Sequence, residues 1–156
     1  MSGANGGYFI YELRKTIPRR KINFKKIGYY DDLTTNLQGN STRRYLVELR
    51  AIGCEWALKG GGCSMCGHIV GITQGNYINS EDIINQFKNW HKKMNFKNHP
   101  VLCLYNMGSF LNDYEIPSKA RKEILKIINK NKDIKKITLE SRPEYVTKEH
   151  LEELKN

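Results

Sequence analysis

Polar and apolar residues alternate across 43–50 (RRYLVELR), and this period of two, carried by Tyr45 and Val47, predicts a strand. The period lengthens over 80–94 (SEDIINQFKNWHKKM), where Ile83, Ile84, Phe87 and Trp90 fall on one face of a helix. Ser80 stands at its N-cap position, and Glu81 and Asp82 fill the first turn, where carboxylates suit the helix dipole. The short apolar run 100–106 (PVLCLYN) reads as a buried parallel strand. A loop then leads to Pro117, suited to the first turn of a helix reaching about residue 131, with Ile124, Leu125, Ile127 and Ile128 facing the sheet. A third strand, 135–140 (KKITLE), precedes a third helix capped by Thr147, with Glu149 in its first turn. The predicted order β–loop–α–β–α–β–α, with crossovers long enough for parallel pairing, is an α/β pattern. Right-handed crossovers place its helices outside a curved or open sheet.

Composition narrows the class. At 156 residues and 18.1 kDa the chain suits one domain with a real core. Nothing in it approaches the ~20 apolar residues of a membrane span, and no signal-peptide core follows Met1, so a cytoplasmic location is expected. In that setting the four cysteines point to metal or redox chemistry rather than a disulfide framework. The formal net charge of +10 and pI near 9.5 suit a polyanionic partner. The competing reading is lysine spread over solvated element ends, as at Lys92, Lys93, Lys130, Lys132, Lys135 and Lys136. A denser cluster, Arg14, Lys15, Arg19, Arg20, Lys21, Lys25 and Lys26, is interleaved with Tyr11, Phe24, Tyr29 and Tyr30. Arginine with aromatics binds phosphates and stacks on bases, or the aromatics pack an N-terminal arm onto the domain.

The residues that carry chemistry follow the strands. After the first comes GCEWALKGGGCSMCGH, which places Cys54, Cys63 and Cys66 on one glycine-rich loop, with eight residues between the first two and two between the last two. Gly60, Gly61, Gly62 and Gly67 allow a tight wrap around a metal centre. Zinc would take a fourth ligand, for which His68 is available; three thiolates alone suit a 4Fe–4S cluster with one iron left open. Cys103, within an apolar strand, reads as a small buried hydrophobe. After the second strand come Asn106, Met107, Gly108, Ser109 and Phe110, and after the third Glu140, Ser141, Arg142, Pro143 and Glu144. In parallel α/β folds ligands bind beyond the carboxyl ends of the strands, where all three sets fall. Asn106, Gly108 and Ser109 read as a polar ligand site or as the turn leaving the strand, and Glu140 and Arg142 as ligand contacts or as an ion pair. Trp56 and Met65 read as cover over the metal.

Together, GCEWALKGGGCSMCGH, YNMGSF and ESRPEYV resemble the radical SAM superfamily, nearest the branch that includes the elongator catalytic subunit, whose first two cysteines are also widely spaced. Within it, the W…GGCSMCG loop, the GSFLND…IP segment and ESRPE look most like the archaeosine-synthesis radical SAM enzymes of archaea, over about 43–156. The resemblance implies the first three βα units of a partial (β/α)6 barrel. It implies that Cys54, Cys63 and Cys66 bind three irons of a 4Fe–4S cluster whose fourth iron chelates S-adenosylmethionine. It further implies that the backbone of Asn106, Met107, Gly108 and Ser109 receives the amino group of S-adenosylmethionine, and that Glu140 and Arg142 contact that cofactor. With an external one-electron reductant, such a site cleaves S-adenosylmethionine to a 5′-deoxyadenosyl radical. In the archaeosine group the substrate is a lysine-bearing 7-deazaguanine base of tRNA, which also implies a lysine-transferring tRNA-modification partner. The positive charge is compatible with tRNA.

The sequence departs from the family pattern twice. The cysteine spacing is not the common three-then-two, and only three of six βα units are present. The chain therefore reads as an irregular basic, aromatic N-terminal extension, 1–42, followed by a truncated radical SAM core, 43–156. Two rival readings remain: a radical SAM enzyme for another RNA base or a small molecule, and a non-catalytic zinc-stabilised RNA-binding module with His68 or Cys103 as fourth ligand.

Overall fold

The alternating segment around Tyr45 and Val47 does form a strand, but one that begins earlier than its hydrophobic pattern and already has a partner. The computed structural model of the chain describes residues 12, 13, 15, 16, 18, 23, 25–60, 62–67 and 75–155. In it β1 (Gly28–Leu37) pairs antiparallel with β2 (Asn40–Glu48). This corrects, over residues 28–42, the expectation of an irregular segment before residue 43. The loop between the strands is two residues long, and both Gln38 and Gly39 have positive φ, 53° and 82°. That is the type I′ signature, which matches the twist of a hairpin. β1 lacks clean alternation, so periodicity alone does not reveal it. Charge holds it in register: Arg44 grips Asp32 with two hydrogen bonds, at 2.7 and 3.1 Å, and Arg43 reaches Asp31 at 2.6 Å.

β3 (Val101–Tyr105) and β4 (Lys136–Leu139) add in parallel, giving one four-stranded sheet in the order β1-β2-β3-β4. The fold is therefore mixed α/β. Helix α1 (Glu55–Gly60) lies within the cysteine loop, and α2 (Ser80–His91), α3 (Ser118–Lys130) and α4 (Lys148–Glu153) follow β2, β3 and β4. Asn79, rather than Ser80, caps α2: its Oδ1 accepts from the Asp82 amide at 2.8 Å. Thr147 caps α4 as expected, accepting from the His150 amide at 3.2 Å. Among the described residues no helix is long and apolar enough to cross a membrane.

One face of the sheet builds the core. Tyr45, Val47 and Leu49 of the β2 segment and Leu102 and Leu104 of β3 pack against Ile83, Ile84, Phe87 and Trp90 of α2 and Ile124 and Ile128 of α3. Leu125 is buried as well, and Ile127 packs at the margin. Cys103 alternates to the opposite face, opposite Leu46 and Thr138, and is buried as a small hydrophobe would be. Beyond β2 the chain keeps its place because Leu49 donates to the Tyr105 carbonyl at 2.7 Å. Buried Gln86 of α2 holds the backbone of Arg50 from both sides, at 2.8 and 2.9 Å. The cysteine loop therefore starts from a fixed anchor at the carboxyl end of the sheet.

Candidate functional site

Three loops leave the carboxyl ends of β2, β3 and β4, and a buried carboxylate joins two of them. Glu115 accepts hydrogen bonds through both oxygens. Its Oε1 takes the backbone amide of Glu55 at 2.9 Å and the side-chain amide of Asn112 at 3.2 Å; its Oε2 takes the backbone amide of Ser109 and Nδ2 of Asn106 at 3.2 Å. Gly108 is required where it stands: an added Cβ would lie 1.9 Å from Glu115 Oε2 and 3.1 Å from the Cα of Cys54. Turning the chain out of β3 puts Met107 in the left-handed region, with φ of 59°. Glu140, at the end of β4, holds that turn from the other side, its Oε1 accepting from the amides of Asn106 at 2.6 Å and Gly108 at 3.2 Å. The Phe110 amide donates to the Glu140 carbonyl at 2.9 Å.

Arg142 closes the third side. Its backbone amide and Nε both reach Ser109 Oγ, at 3.0 and 3.3 Å, and its Nη2 donates to the Tyr145 hydroxyl at 2.9 Å. Glu144 lies 3.1 Å from the guanidinium, with Glu55 and Glu115 farther off at 3.7 and 3.8 Å. The Tyr145 hydroxyl in turn donates to Glu55 Oε2 at 2.8 Å. Glu55 also accepts from Lys59 and Asn112, and these contacts, Lys59 first, hold its carboxyl down to about 2. The predicted strand-end residues are thus brought together: Asn106, Met107, Gly108 and Ser109 form the turn, and Glu140 and Arg142 brace it from β4. Their hydrogen bonds serve the turn and each other's loops, which is the turn reading of these residues. Glu55, Asn112, Glu115 and Tyr145 complete the network and were missed from sequence. Only ESRPEY, with its tyrosine directly after the strand-end motif, offered a signal.

The amides of Asn106, Gly108 and Ser109 are already committed, and among the described residues one buried side-chain acceptor at the site is not. Asn106 is buried, and among the described residues its Oδ1 has no hydrogen-bond partner. Because Nδ2 must face the Glu115 carboxylate, the oxygen end is fixed in its direction. An unpaired buried carbonyl beside two carboxylates calls for a hydrogen-bond donor, and a positively charged one suits it best.

None of the cysteines forms a disulfide. Cys54 and Cys66 are half-buried and Cys63 is exposed, and the Cys66 amide closes a turn onto the Cys63 carbonyl at 3.1 Å. Burial pushes the Cys54 thiol up, against the pull of the Ala57 and Trp56 amides. Among the described residues no three His, Cys, Asp or Glu side chains stand close enough to hold one metal ion, these cysteines included. A cubane makes a different demand, since each thiolate takes its own iron, and three cysteines outside any disulfide on one loop fit it in kind and number. His68 lies outside the described residues, as do Tyr11, Arg14, Arg19, Arg20, Lys21 and Phe24 of the basic cluster. Tyr29 supports the packing alternative for that cluster, meeting Tyr45 edge-on at 6.5 Å. Met65 and Trp56 do not act as buried cover: they are 92% and 47% exposed. Met65 sits at the tip of the turn between Cys63 and Cys66.

No protein-family profile matches the chain, and no solved structure matches it. Among curated proteins it is 31% identical to an uncharacterized protein of Methanocaldococcus jannaschii, over 94% of this chain and 42% of that protein. It is 30% identical to the archaeosine synthase subunit beta of Methanosarcina acetivorans, over 76% of this chain and 34% of that protein. For the archaeosine synthase subunit beta of Thermococcus kodakarensis the figures are 28%, 76% and 37%. The chain spans between 34% and 42% of the length of these relatives. Over 76% of its length, this chain is homologous to proteins named as a subunit of archaeosine synthase.

Proposed function

We propose that this chain carries the cluster-binding portion of a radical SAM enzyme acting in archaeosine formation on tRNA. The observation that carries the reading is the meeting of the three-cysteine loop with the polar ends of β3 and β4 through Glu55, Glu115 and Arg142, in a chain homologous to archaeosine synthase beta subunits. The order β2-β3-β4, parallel and without reversal, also favours the wall of a barrel over a doubly wound sheet.

In this reading Cys54, Cys63 and Cys66 supply three thiolates. A 4Fe–4S cluster held there with S-adenosylmethionine would supply one-electron reductive cleavage of that cofactor, the electron coming from an external reductant. The rest of the work belongs to the chain. The amides of Asn106, Gly108 and Ser109 are donors already taken by Glu140 and Glu115, so an incoming amino group must be met by oxygen acceptors. Asn106 Oδ1 is such an acceptor, fixed in direction and backed by two carboxylates. Arg142, held by Ser109 and Tyr145, presents a cation at the same rim. Pre-set hydrogen bonds of this kind orient a bound group without reorganisation during the reaction.

The experiment is anaerobic turnover of the reconstituted full-length protein with S-adenosylmethionine and a strong one-electron reductant, followed by chromatography for 5′-deoxyadenosine. Release of 5′-deoxyadenosine, abolished by Cys63→Ala, is the expected result; none from an iron-loaded protein overturns the chemistry. The substrate is tested separately by tRNA nucleosides from a strain without the gene. That strain should lack archaeosine and retain a lysine-bearing precursor. Unchanged archaeosine would reassign the enzyme to another RNA base or a small molecule.

A further inference from the structure

Glu115 is the buried carboxylate that spans the site, yet it has nothing left to offer a ligand. Four N–H groups converge on its two oxygens, two to each. A carboxylate so engaged has its lone pairs occupied and is a poor metal ligand. Its partners are more informative than its charge. One is the amide of Glu55, the residue that follows Cys54; another is the side-chain amide of Asn106, the buried residue whose oxygen is unpaired. A third, the Ser109 amide, lies just past Gly108, whose missing side chain lets the carboxylate and the Cys54 backbone come together.

From this geometry we infer that Glu115 is a positioning residue, which fixes Cys54 against the turn after β3 and aims Asn106 Oδ1 into the site. The role rests on the cluster reading for its purpose, but the positioning itself is a property of the metal-free chain. Glutamine cannot replace glutamate here. It has one acceptor oxygen, and whichever way its amide turns, the NH2 end faces two N–H donors. Glu115→Gln should therefore break the joint that holds Cys54 against the turn after β3, whichever loop lets go, while leaving the sheet and the α2–α3 core in place.

The test is alkylation of the reduced, metal-free chain with iodoacetamide, the modified fraction at Cys54, Cys63 and Cys66 being read separately by mass spectrometry. In Glu115→Gln the rate at Cys54 is expected to rise roughly tenfold, the consequence of losing buried hydrogen bonds, with Cys63 and Cys66 changing by less than about twofold. Gly108→Ala displaces the same carboxylate from the other side and should give the same Cys54-selective rise, which keeps the test alive if one variant fails to fold. Ile128→Val, a core change remote from the loop, should alter none of the three selectively. Equal acceleration at all three cysteines, or an unchanged Cys54 in a folded variant, would overturn the positioning role. Failure of the wild-type chain to take up iron would instead overturn the cluster reading, and the labelling result would still decide the role of Glu115.

Discussion

Asp32 and Glu115 are both carboxylates that hold backbone in register, and their surroundings separate what each contributes. Asp32 is partly exposed, and the hydrogen bond from Arg44 outweighs burial and holds its carboxyl below the ordinary 3.8. A carboxyl lowered on folding stabilises the fold above its unfolded value, and that contribution is lost as pH falls from 3.8 through the folded value. Asp32→Asn should therefore cost less than about 1 kcal/mol at neutral pH, as solvent-screened pairs do, and should flatten the loss of stability below pH 3.8. Thermal melts of the two proteins down that pH range check this; parallel curves would mean that the pair does not couple to folding. Glu115 works in a dry site, so its loss acts on geometry. Sequence revealed Ser109, Glu140 and Arg142 because each stands directly at a strand end. It did not reveal Glu115, whose partners are mostly amides, one of them 60 residues away, and no side-chain pattern records such a contact.

At the scale of elements, segments with strong periodicity were legible and the hairpin was not. The apolar face of α2 and the continuous run of β3 each announce a buried surface. β1 sits at the edge of the sheet and is held by Asp31 and Asp32, which on a pattern of hydrophobicity look like loop residues. The signal for it was the Gln-Gly pair at 38–39. Gly39 has no neighbour within 4 Å of an added Cβ, so Gly39→Ala isolates the backbone term of the turn. It should destabilise by about 1–2 kcal/mol, the cost of a left-handed non-glycine residue. Gln38→Asn should stabilise by less than about 1 kcal/mol, since asparagine tolerates that conformation better. Urea midpoints moving in opposite directions would bear out the turn, and two wild-type midpoints would contradict it.

For the whole molecule, the order of parallel strands and the gathering of polar groups at their carboxyl ends could be read before any coordinates, because βα units leave little choice of topology. The extent of the sheet could not: β1 extends it beyond β2, away from the parallel strands. The same organisation puts the cysteine loop, Asn106 and Arg142 at one end of the sheet, and the central claim is that this end holds an iron–sulfur cluster. The most direct test is anaerobic reconstitution with iron and sulfide, followed by iron, sulfide and zinc analysis and electron paramagnetic resonance of the reduced protein. The account predicts a brown protein with about four irons and four sulfides per chain. It also predicts that the cluster is lost in Cys54→Ala, Cys63→Ala and Cys66→Ala and kept in Cys103→Ala. A colourless protein that holds zinc or no metal, or a cluster indifferent to those three cysteines, would contradict it.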